Sequence, residues 1–530
     1  MGGEINPRVV PGGYPVAPPG DPRQIARHMR AFLLIVAAVV PVTLAAQEAS
    51  PYVPLTHWAM PYIEHLIAAR VIADPTPLTR PLKESDVVRA LVAVDTTRLG
   101  GSTRGTLRRL LREFQPVEPR PHYRVEGQAG VAAATQAVRD PLELGRGVPA
   151  RSIDRRGFVN AGLDVKLLFG PVVAVTHAVV DTRLEHDPDW YAKQDNSTRF
   201  ADAYVSGQWR LGELCFGILD RNWGPSGVQG VLVSDNPYSM DHLAVTLGGR
   251  GMQLQAMATQ LNTLVDSNGA PVNRYMAQSR LWINPRGRWT LAFWEAAVTS
   301  GVGRQLEPWY LNPASLGVFR TSNGTNANIF IGIDFERRAP VTLFGQFMVD
   351  DIQVSRKSST DLKPVSYAFT LGGKGGVRAG TASWIVFYTQ VANLTYRNED
   401  DLQVPLYFGL GTGRNFADYD QATAKLSLLF RPALAVEPEI TLLRQGEGDP
   451  RLPHPLPPEY PAAAVIFQDI VERTLRLAVG ATWQLGSLSV TGNGGVHLVH
   501  NAGHTTGASQ TQWVGSIGLT YRIHHQDVLP

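Results

Sequence analysis

The feature that most constrains this fold is a rhythm of strands and unequal connections that runs from about residue 123 to Arg522. In two segments, 158–169 and 474–485, every second residue is apolar and most residues between them are polar or small. Successive side chains of a strand point to opposite faces, so each segment predicts a strand with one apolar and one polar face. A sheet packed on a soluble core would show the same alternation, so single strands do not decide the fold.

The connections between the strands narrow the choice. Eight are short, and most contain Gly or Pro, as tight hairpins require; they lie at 169–171, 210–212, 248–251, 284–288, 336–340, 372–376, 431–432 and 485–487. Nine are long and polar; they lie at 136–155, 186–198, 221–241, 262–273, 300–326, 351–364, 392–420, 445–469 and 501–509. Strict alternation of the two kinds predicts an all-β fold, a transmembrane antiparallel up-and-down β-barrel of about 18 strands.

The N-terminus predicts export. Met29 and Arg30 precede an apolar run, 31–40, and the small residues of 43–46, which is the pattern of a signal peptide. We expect translation to start at Met29 and cleavage to follow Ala45 or Ala46. Residues 1–46 are therefore interpreted as an N-terminal extension and signal peptide, 47–116 as a periplasmic helical domain and 117–530 as an outer-membrane barrel. No other stretch approaches the roughly 18 apolar residues of a membrane-spanning helix.

Apolar residues at helical spacing predict three helices ahead of the barrel. The first carries Trp58 to Val71, the second follows the capping pair Ser85-Asp86, and the third spans 103–114 with arginines around its apolar side. Because this domain precedes the first strand, and that strand precedes a long loop, we expect the helices on the short-turn, periplasmic side.

Composition and motifs argue against several function classes. The formal net charge of +3 gives no bulk basic charge for nucleic acid, and the single Cys215 excludes an intramolecular disulfide. No metal-protease, serine-hydrolase or phosphate-loop motif is present. His497 and His500 are three residues apart and fall on opposite faces of a strand, and His504 follows, so we expect no metal. We therefore expect a protein that is not an enzyme and has no cofactor.

Two segments carry a resemblance to a known family. Residues 218–225 contain Asp-Arg-Asn-Trp-Gly-Pro and 232–237 contain Ser-Asp-Asn-Pro; together they resemble the strand-to-loop motif of the capsule assembly Wzi family, and 330–334 with 343–351 are similar to a later block. Members of that family are eighteen-stranded outer-membrane barrels with periplasmic helices. The resemblance implies a surface lectin that holds capsular polysaccharide on the cell.

Two weaker resemblances concern the ends of the chain. His57-Trp58-Ala59 and Leu78-Thr79-Arg80 are similar to parts of an S-layer-homology repeat, a module that binds cell-wall polymers, which would imply a tether to peptidoglycan. Residues 516–523 look like the closing-strand signal that the barrel-assembly machinery reads, although seven further residues follow it. Outer-membrane lipid, surface polysaccharide and this machinery are therefore the expected partners.

The candidate binding residues combine aromatic rings with polar groups in the long loops. Sugars offer C–H faces to rings and hydroxyls to carboxylates and amides, which singles out Asp220, Arg221, Trp223, Asp235, Asn236, Tyr238, Trp309 and Tyr310. For any single Trp or Tyr, the membrane-interface girdle of a barrel is the competing interpretation.

Three functions are compatible with these observations. The first is a barrel that binds or anchors capsular polysaccharide through extracellular loops. The second is a diffusion porin, tethered to the cell wall by the helical domain, since a barrel of this size can enclose a channel. The third is an outer-membrane hydrolase.

Overall fold

A closed antiparallel barrel of 18 strands forms the body of the molecule, as predicted. The computed structural model describes residues 48–114, 121–139, 156–190, 197–285, 288–307, 312, 314, 327–351 and 363–529. Each strand pairs with its neighbours in the chain, and the first strand pairs with the last. The strands are β1 His122–Ala134, β2 Arg156–Phe169, β3 Val172–Asp181, β4 Thr198–Trp209, β5 Gly212–Ile218, β6 Asp241–Gly248, β7 Met252–Val265, β8 Pro271–Ile283, β9 Trp289–Val302, β10 Asn328–Arg337, β11 Thr342–Asp351, β12 Ser366–Gly376, β13 Ala382–Val391, β14 Tyr419–Arg431, β15 Leu434–Gln445, β16 Glu472–Leu485, β17 Leu488–His500 and β18 Ser509–Val528.

The apolar face of the strands looks outward. On β2, Val159 and Leu163 are 58% and 50% exposed, whereas Lys166 on the opposite face is 4% exposed. The same alternation holds on β16, where Leu477 and Val479 are exposed and Thr474 is buried. An exposed apolar belt around a closed barrel is the surface that lipid covers. The barrel is therefore of the outer-membrane type.

Short turns and long loops alternate as expected, with two corrections. Gly372 to Gly376 were predicted to form a turn, but they continue β12 and pair with β11 and β13. Glycine is required at Gly372 because a Cβ would lie 2.5 Å from the Phe344 ring. The connection predicted at 262–273 is shorter than expected, since β7 continues to Val265 and β8 begins at Pro271.

The last strand includes most of the C-terminal tail. The predicted closing-strand signal ends at Ile523, yet β18 continues to Val528. His524 to Val528 pair with His122 to Glu126 of β1. The residues beyond the signal therefore help to close the barrel at the short-turn end.

Three helices precede the barrel: α1 Met60–Ala68, α2 Glu84–Val92 and α3 Gly101–Phe114. The predicted capping pair Ser85-Asp86 is wrong, because α2 begins one residue earlier and Lys83 occupies its N-cap position without a side-chain cap. Among the described residues, no helix is both long and apolar enough to cross a membrane.

The helices pack on the short turns of the barrel, in agreement with the expectation from chain order. The Tyr62 hydroxyl lies 2.7 Å from the carbonyl oxygen of Ala433 and 2.8 Å from that of Thr482. The His65 ring contacts the Gly380 carbonyl at 2.8 Å. Buried residues of the helices share one apolar core with Leu429, Ala433 and Ala435 of the barrel. The helical region is thus built onto the barrel wall.

Candidate functional site

Two long loops fold into the barrel and bind each other. One joins β5 to β6 (219–240) and the other joins β13 to β14 (392–418). Ser234 donates from its backbone N–H to the Thr412 carbonyl at 2.9 Å and from its hydroxyl to the Gly413 carbonyl at 2.6 Å. The Asn236 amide donates to the Gly411 carbonyl at 2.7 Å. A Cβ on Gly413 would lie 2.5 Å from backbone atoms of the facing loop, so only glycine permits this approach.

The wall of the barrel fixes the first of these loops. The Gln346 side chain on β11 accepts from the Val231 N–H at 2.8 Å and donates to the Trp223 carbonyl at 3.0 Å. Asn222 closes the loop on itself, because its amide bonds the Val228 carbonyl at 2.9 Å and the Gly230 N–H at 2.7 Å. These hydrogen bonds hold the loop to the wall and to itself, which gives the loop one defined shape.

A segment of the N-terminal region reaches the same loop from the short-turn end. Thr79 and Arg80 pair antiparallel with Trp223 and Asn222. The Arg280 guanidinium of β8 donates to the Leu78 carbonyl at 2.9 Å and also pairs with Asp334 at 2.8 Å, where both side chains are fully buried. The segment, the 219–240 loop and the 392–418 loop therefore follow one another through the lumen.

Cavities remain in the lumen beside the N-terminal segment and the two loops. One of about 540 Å³ lies next to α1 and is lined by charged and polar groups that include His65, Lys374 and Glu437. A second, of about 350 Å³, lies between the N-terminal segment and the wall formed by β4 to β7. The lumen is thus mostly occupied by the chain itself.

Four of the predicted site residues are buried in this arrangement. Arg221 and Trp223 lie in the lumen and line the smaller cavity. Asn236 is fully buried and holds the two loops together. Tyr238 is also buried, at the long-loop end. None of these four presents a ring or an amide on the outer surface, which the sequence alone did not indicate.

The other four predicted residues differ in their surroundings. Asp220 and Asp235 are half-buried near each other, and Asp235 also lines the larger cavity. Burial and the neighbouring carboxylates of Asp202 and Asp235 raise the pKa of Asp220 to about 7. Trp309 and Tyr310 lie outside the described residues.

A mixed group of rings and charges surrounds Tyr238 at the long-loop end; we name Arg139, Asp187, Trp190, Arg199 and Tyr238 the Tyr238 cluster. The Tyr238 ring meets Trp190 edge to face with ring centroids 4.9 Å apart. The guanidinium carbons of Arg139 and Arg199 lie 4.8 and 5.3 Å from the ring centre. The Tyr238 hydroxyl donates to Asp187, which is itself paired with Arg183.

The Tyr238 cluster joins three connections into one surface. Arg139 follows β1, Trp190 lies in the connection after β3, and Tyr238 closes the 219–240 loop. Because both rings are buried, they support this surface, and the partly exposed groups around them are Arg139, Asp189, Arg199, Asp220 and Asp235. Sequence reasoning missed Arg139 and Arg199, whose positions near the ring depend on how the loops fold.

No cluster of three or more potential metal ligands occurs in the portions of the chain that the structure describes. His497 is buried and His500 is exposed, so the two rings point away from each other as their spacing predicts.

Comparison with known proteins identifies the fold. The solved structure of Wzi, an outer membrane protein involved in group 1 capsule assembly in Escherichia coli and a carbohydrate-binding β-barrel, matches with a TM-score of 0.59 and 15% identity over 86% of this chain and 96% of Wzi. The OprD structure from Pseudomonas aeruginosa matches with a TM-score of 0.42 and 10% identity over 76% of this chain and 95% of that one. No protein-family model and no curated protein matches. The expected resemblance to Wzi is confirmed for the fold.

Proposed function

We propose that this chain is an outer-membrane barrel that binds or anchors capsular or other surface polysaccharide at its long-loop end, without catalysing a reaction. The observation that carries the proposal is a barrel with the fold of Wzi whose lumen is occupied from both ends. A filled lumen leaves the long-loop end as the main surface for interaction with large molecules outside the cell.

The Tyr238 cluster and its exposed surroundings are the proposed contact surface. Carboxylates and guanidinium groups lie side by side there, and such groups accept from and donate to sugar hydroxyls. The buried rings fix the positions of these groups, which lowers the cost of ordering them when a polysaccharide binds. Of the predicted site residues, Asp220 and Asp235 keep a direct role in the proposal, while Arg221, Trp223, Asn236 and Tyr238 shape the loop.

The other predicted partners are outer-membrane lipid, the barrel-assembly machinery and peptidoglycan. Outer-membrane lipid fits the exposed apolar belt. Recognition of β18 by the barrel-assembly machinery and a tether to peptidoglycan stay predictions. Leu78 and Arg80, which belong to the S-layer-homology resemblance, are buried in contacts within the barrel, so a tether would have to use other residues.

The proposal is tested by binding of purified, detergent-solubilised protein to immobilised surface polysaccharide from the producing cell. Changing Asp189 and Asp235 together to Ala should weaken binding about tenfold or more, because hydrogen bonds that involve charged groups are the strong ones. The matched control changes Glu399 and Asp401, exposed carboxylates of the 392–418 loop, to Ala and should keep wild-type affinity. Equal affinities of wild type and the first variant would overturn the placement of the site, and absence of any binding would overturn the function.

A further inference from the structure

The smaller cavity of the lumen opens toward the short turns, at the end opposite the proposed polysaccharide surface. It has a volume of about 350 Å³ and is lined by Tyr52, Lys83, Arg210, Arg221, Arg250 and Gln255, among others. Arg210 and Arg250 belong to the short turns after β4 and β6 and are exposed, so they stand at the mouth. Ligand pockets of roughly 300–1,000 Å³ hold small molecules. We name this space the basic cavity.

The charges around the basic cavity do not cancel. Its carboxylates are already paired, since Glu213 contacts Lys83 at 2.8 Å and Asp86 contacts Arg89 at 2.5 Å. The Tyr52 hydroxyl also donates to Glu213 at 2.7 Å. Within the described ranges, Arg210, Arg221 and Arg250 form no ion pair with a carboxylate. Three positive charges therefore remain to attract an anion from the short-turn side.

The buried part of the wall contains polar atoms that the protein leaves unsatisfied. Arg221 Nε, Trp223 Nε1 and Gln255 Oε1 are buried and have no hydrogen-bond partner in the parts of the chain that the structure describes. Their residues are only 7%, 4% and 6% exposed. A buried polar atom without a partner costs free energy, and such atoms mark places where water or a ligand completes the bonding. Two donors and one acceptor are available here.

We propose that the basic cavity binds a carboxylate-bearing sugar that enters from the short-turn side. The carboxylate pairs with the Arg221 guanidinium beyond the mouth arginines, and the sugar hydroxyls satisfy the Trp223 N–H and the Gln255 carbonyl oxygen. Chloride or sulfate would use the arginines but leave the amide oxygen unsatisfied, because neither carries a hydrogen at neutral pH. Phosphate does carry P–OH groups, and it is therefore one of the probes in the test. The combination of donors, an acceptor and excess positive charge therefore favours an acidic sugar.

Calorimetric titration of the full-length protein in detergent tests this proposal, with sodium glucuronate, glucose and sodium phosphate as separate probes. We expect glucuronate to bind and glucose to bind at least tenfold more weakly. Gln255→Glu should abolish glucuronate binding by charge repulsion, and Trp223→Phe, which keeps the ring and removes the N–H, should weaken it about fivefold. Each variant is first checked for a folded barrel by its heat-dependent mobility in electrophoresis.

Two matched surface variants test whether the loss of any exposed positive charge is enough to weaken glucuronate binding. Arg250→Gln removes a charge at the mouth and should weaken glucuronate binding. Arg431→Gln removes an exposed arginine at the end of β14, beside another short turn, and should not weaken it. Absence of glucuronate binding would overturn the proposal. Phosphate binding as tight as glucuronate binding would reduce the cavity to a plain anion site and overturn the sugar assignment. Neither result bears on the polysaccharide surface at the other end.

Discussion

Gln346 illustrates how single side chains decide the shape of the lumen. Its amide lies on the inner face of β11 and bonds two backbone groups of the 219–240 loop. The inward position follows from strand alternation and could be predicted from the sequence, because Phe347 beside it faces outward. Its partners could not be predicted, since nothing in the pattern of a polar loop tells whether the loop leaves the barrel or enters it.

The same limit explains why the sequence identified candidate site residues but not the surroundings of each one in the fold. The sequence is compatible with Trp223 as either a sugar platform or a girdle residue, but Trp223 lies neither on the outer surface nor at the membrane boundary. Trp209 and Trp289, which flank short turns and are exposed, occupy the positions expected for a girdle. Local sequence identifies the residue type, whereas the partner of Trp223 is 144 residues earlier in the chain, at Thr79.

Asp220 provides a prediction at the residue scale. Its pKa is raised to about 7 in the folded protein, above about 3.9 in the unfolded chain. Folding therefore binds a proton between these pH values, and stability should fall as the pH rises through this window and level off above pH 7. Asp220→Asn should remove this dependence and stabilise the protein at pH 8 by roughly 2 kcal/mol after allowance for partial exposure. Thermal unfolding in detergent at pH 5.5 and pH 8 checks the difference; an unchanged pH dependence in the variant would contradict the assignment.

At the scale of elements, the strands were more predictable than the connections. Period-two patterns and turn residues indicated 18 strands and which face of each meets lipid, because both properties are local. The glycine-rich residues Gly372 to Gly376 predict a turn, but they lie in β12, where the ring of Phe344 on the neighbouring strand β11 needs the space that a side chain at 372 would fill. The helices were located, but their docking on the turns depends on contacts with residues more than 300 positions away.

The docking of α3 gives an element-scale prediction. Gly105 faces Pro432 in the turn after β14, and a Cβ there would lie 2.5 Å from the proline ring. Gly105→Val should separate the helix from the turn at a cost of about 1–3 kcal/mol, as overpacking usually does. Faster proteolysis of the helical region in solubilised protein, with the barrel left intact, measures the effect.

Gly101 supplies the control on the same helix. Gly101 is the first residue of α3, and a Cβ there has no atom within 4 Å, so Gly101→Val places the same side chain on this helix without a clash. We expect this control to be cleaved at the wild-type rate and Gly105→Val to be cleaved faster. Equal cleavage of the two variants would show that the clash with Pro432 is not responsible.

At the scale of the whole molecule, the filled lumen separates this barrel from a diffusion pore. Barrels of this strand number can hold an aqueous channel when nothing occupies them. Here the N-terminal segment and two long loops follow one another through the lumen that the wall encloses. Length and composition gave no indication of this, because a loop that fills a barrel and a loop that covers one have the same polar character.

Conductance in planar bilayers tests this view. The wild-type protein should form no stable open channel. Because Trp223 and Val233 are bridged, residues 224–232 can be replaced by a two-residue Asn-Gly turn without separating the strands on either side. This variant should show larger and more frequent openings. Stable wild-type channels of porin size would favour the diffusion-porin alternative.

The pairing of Thr79 and Arg80 with Asn222 and Trp223 has a consequence for biogenesis. This contact lies inside a ring that is complete only when β1 meets β18, so a segment that precedes every strand of the barrel is enclosed by a wall whose last strand comes at the other end of the sequence. A helical region added afterwards, or exchanged for that of another barrel, would have to match the lumen it enters. Closure of the barrel and entry of the N-terminal segment into the lumen are therefore coupled steps.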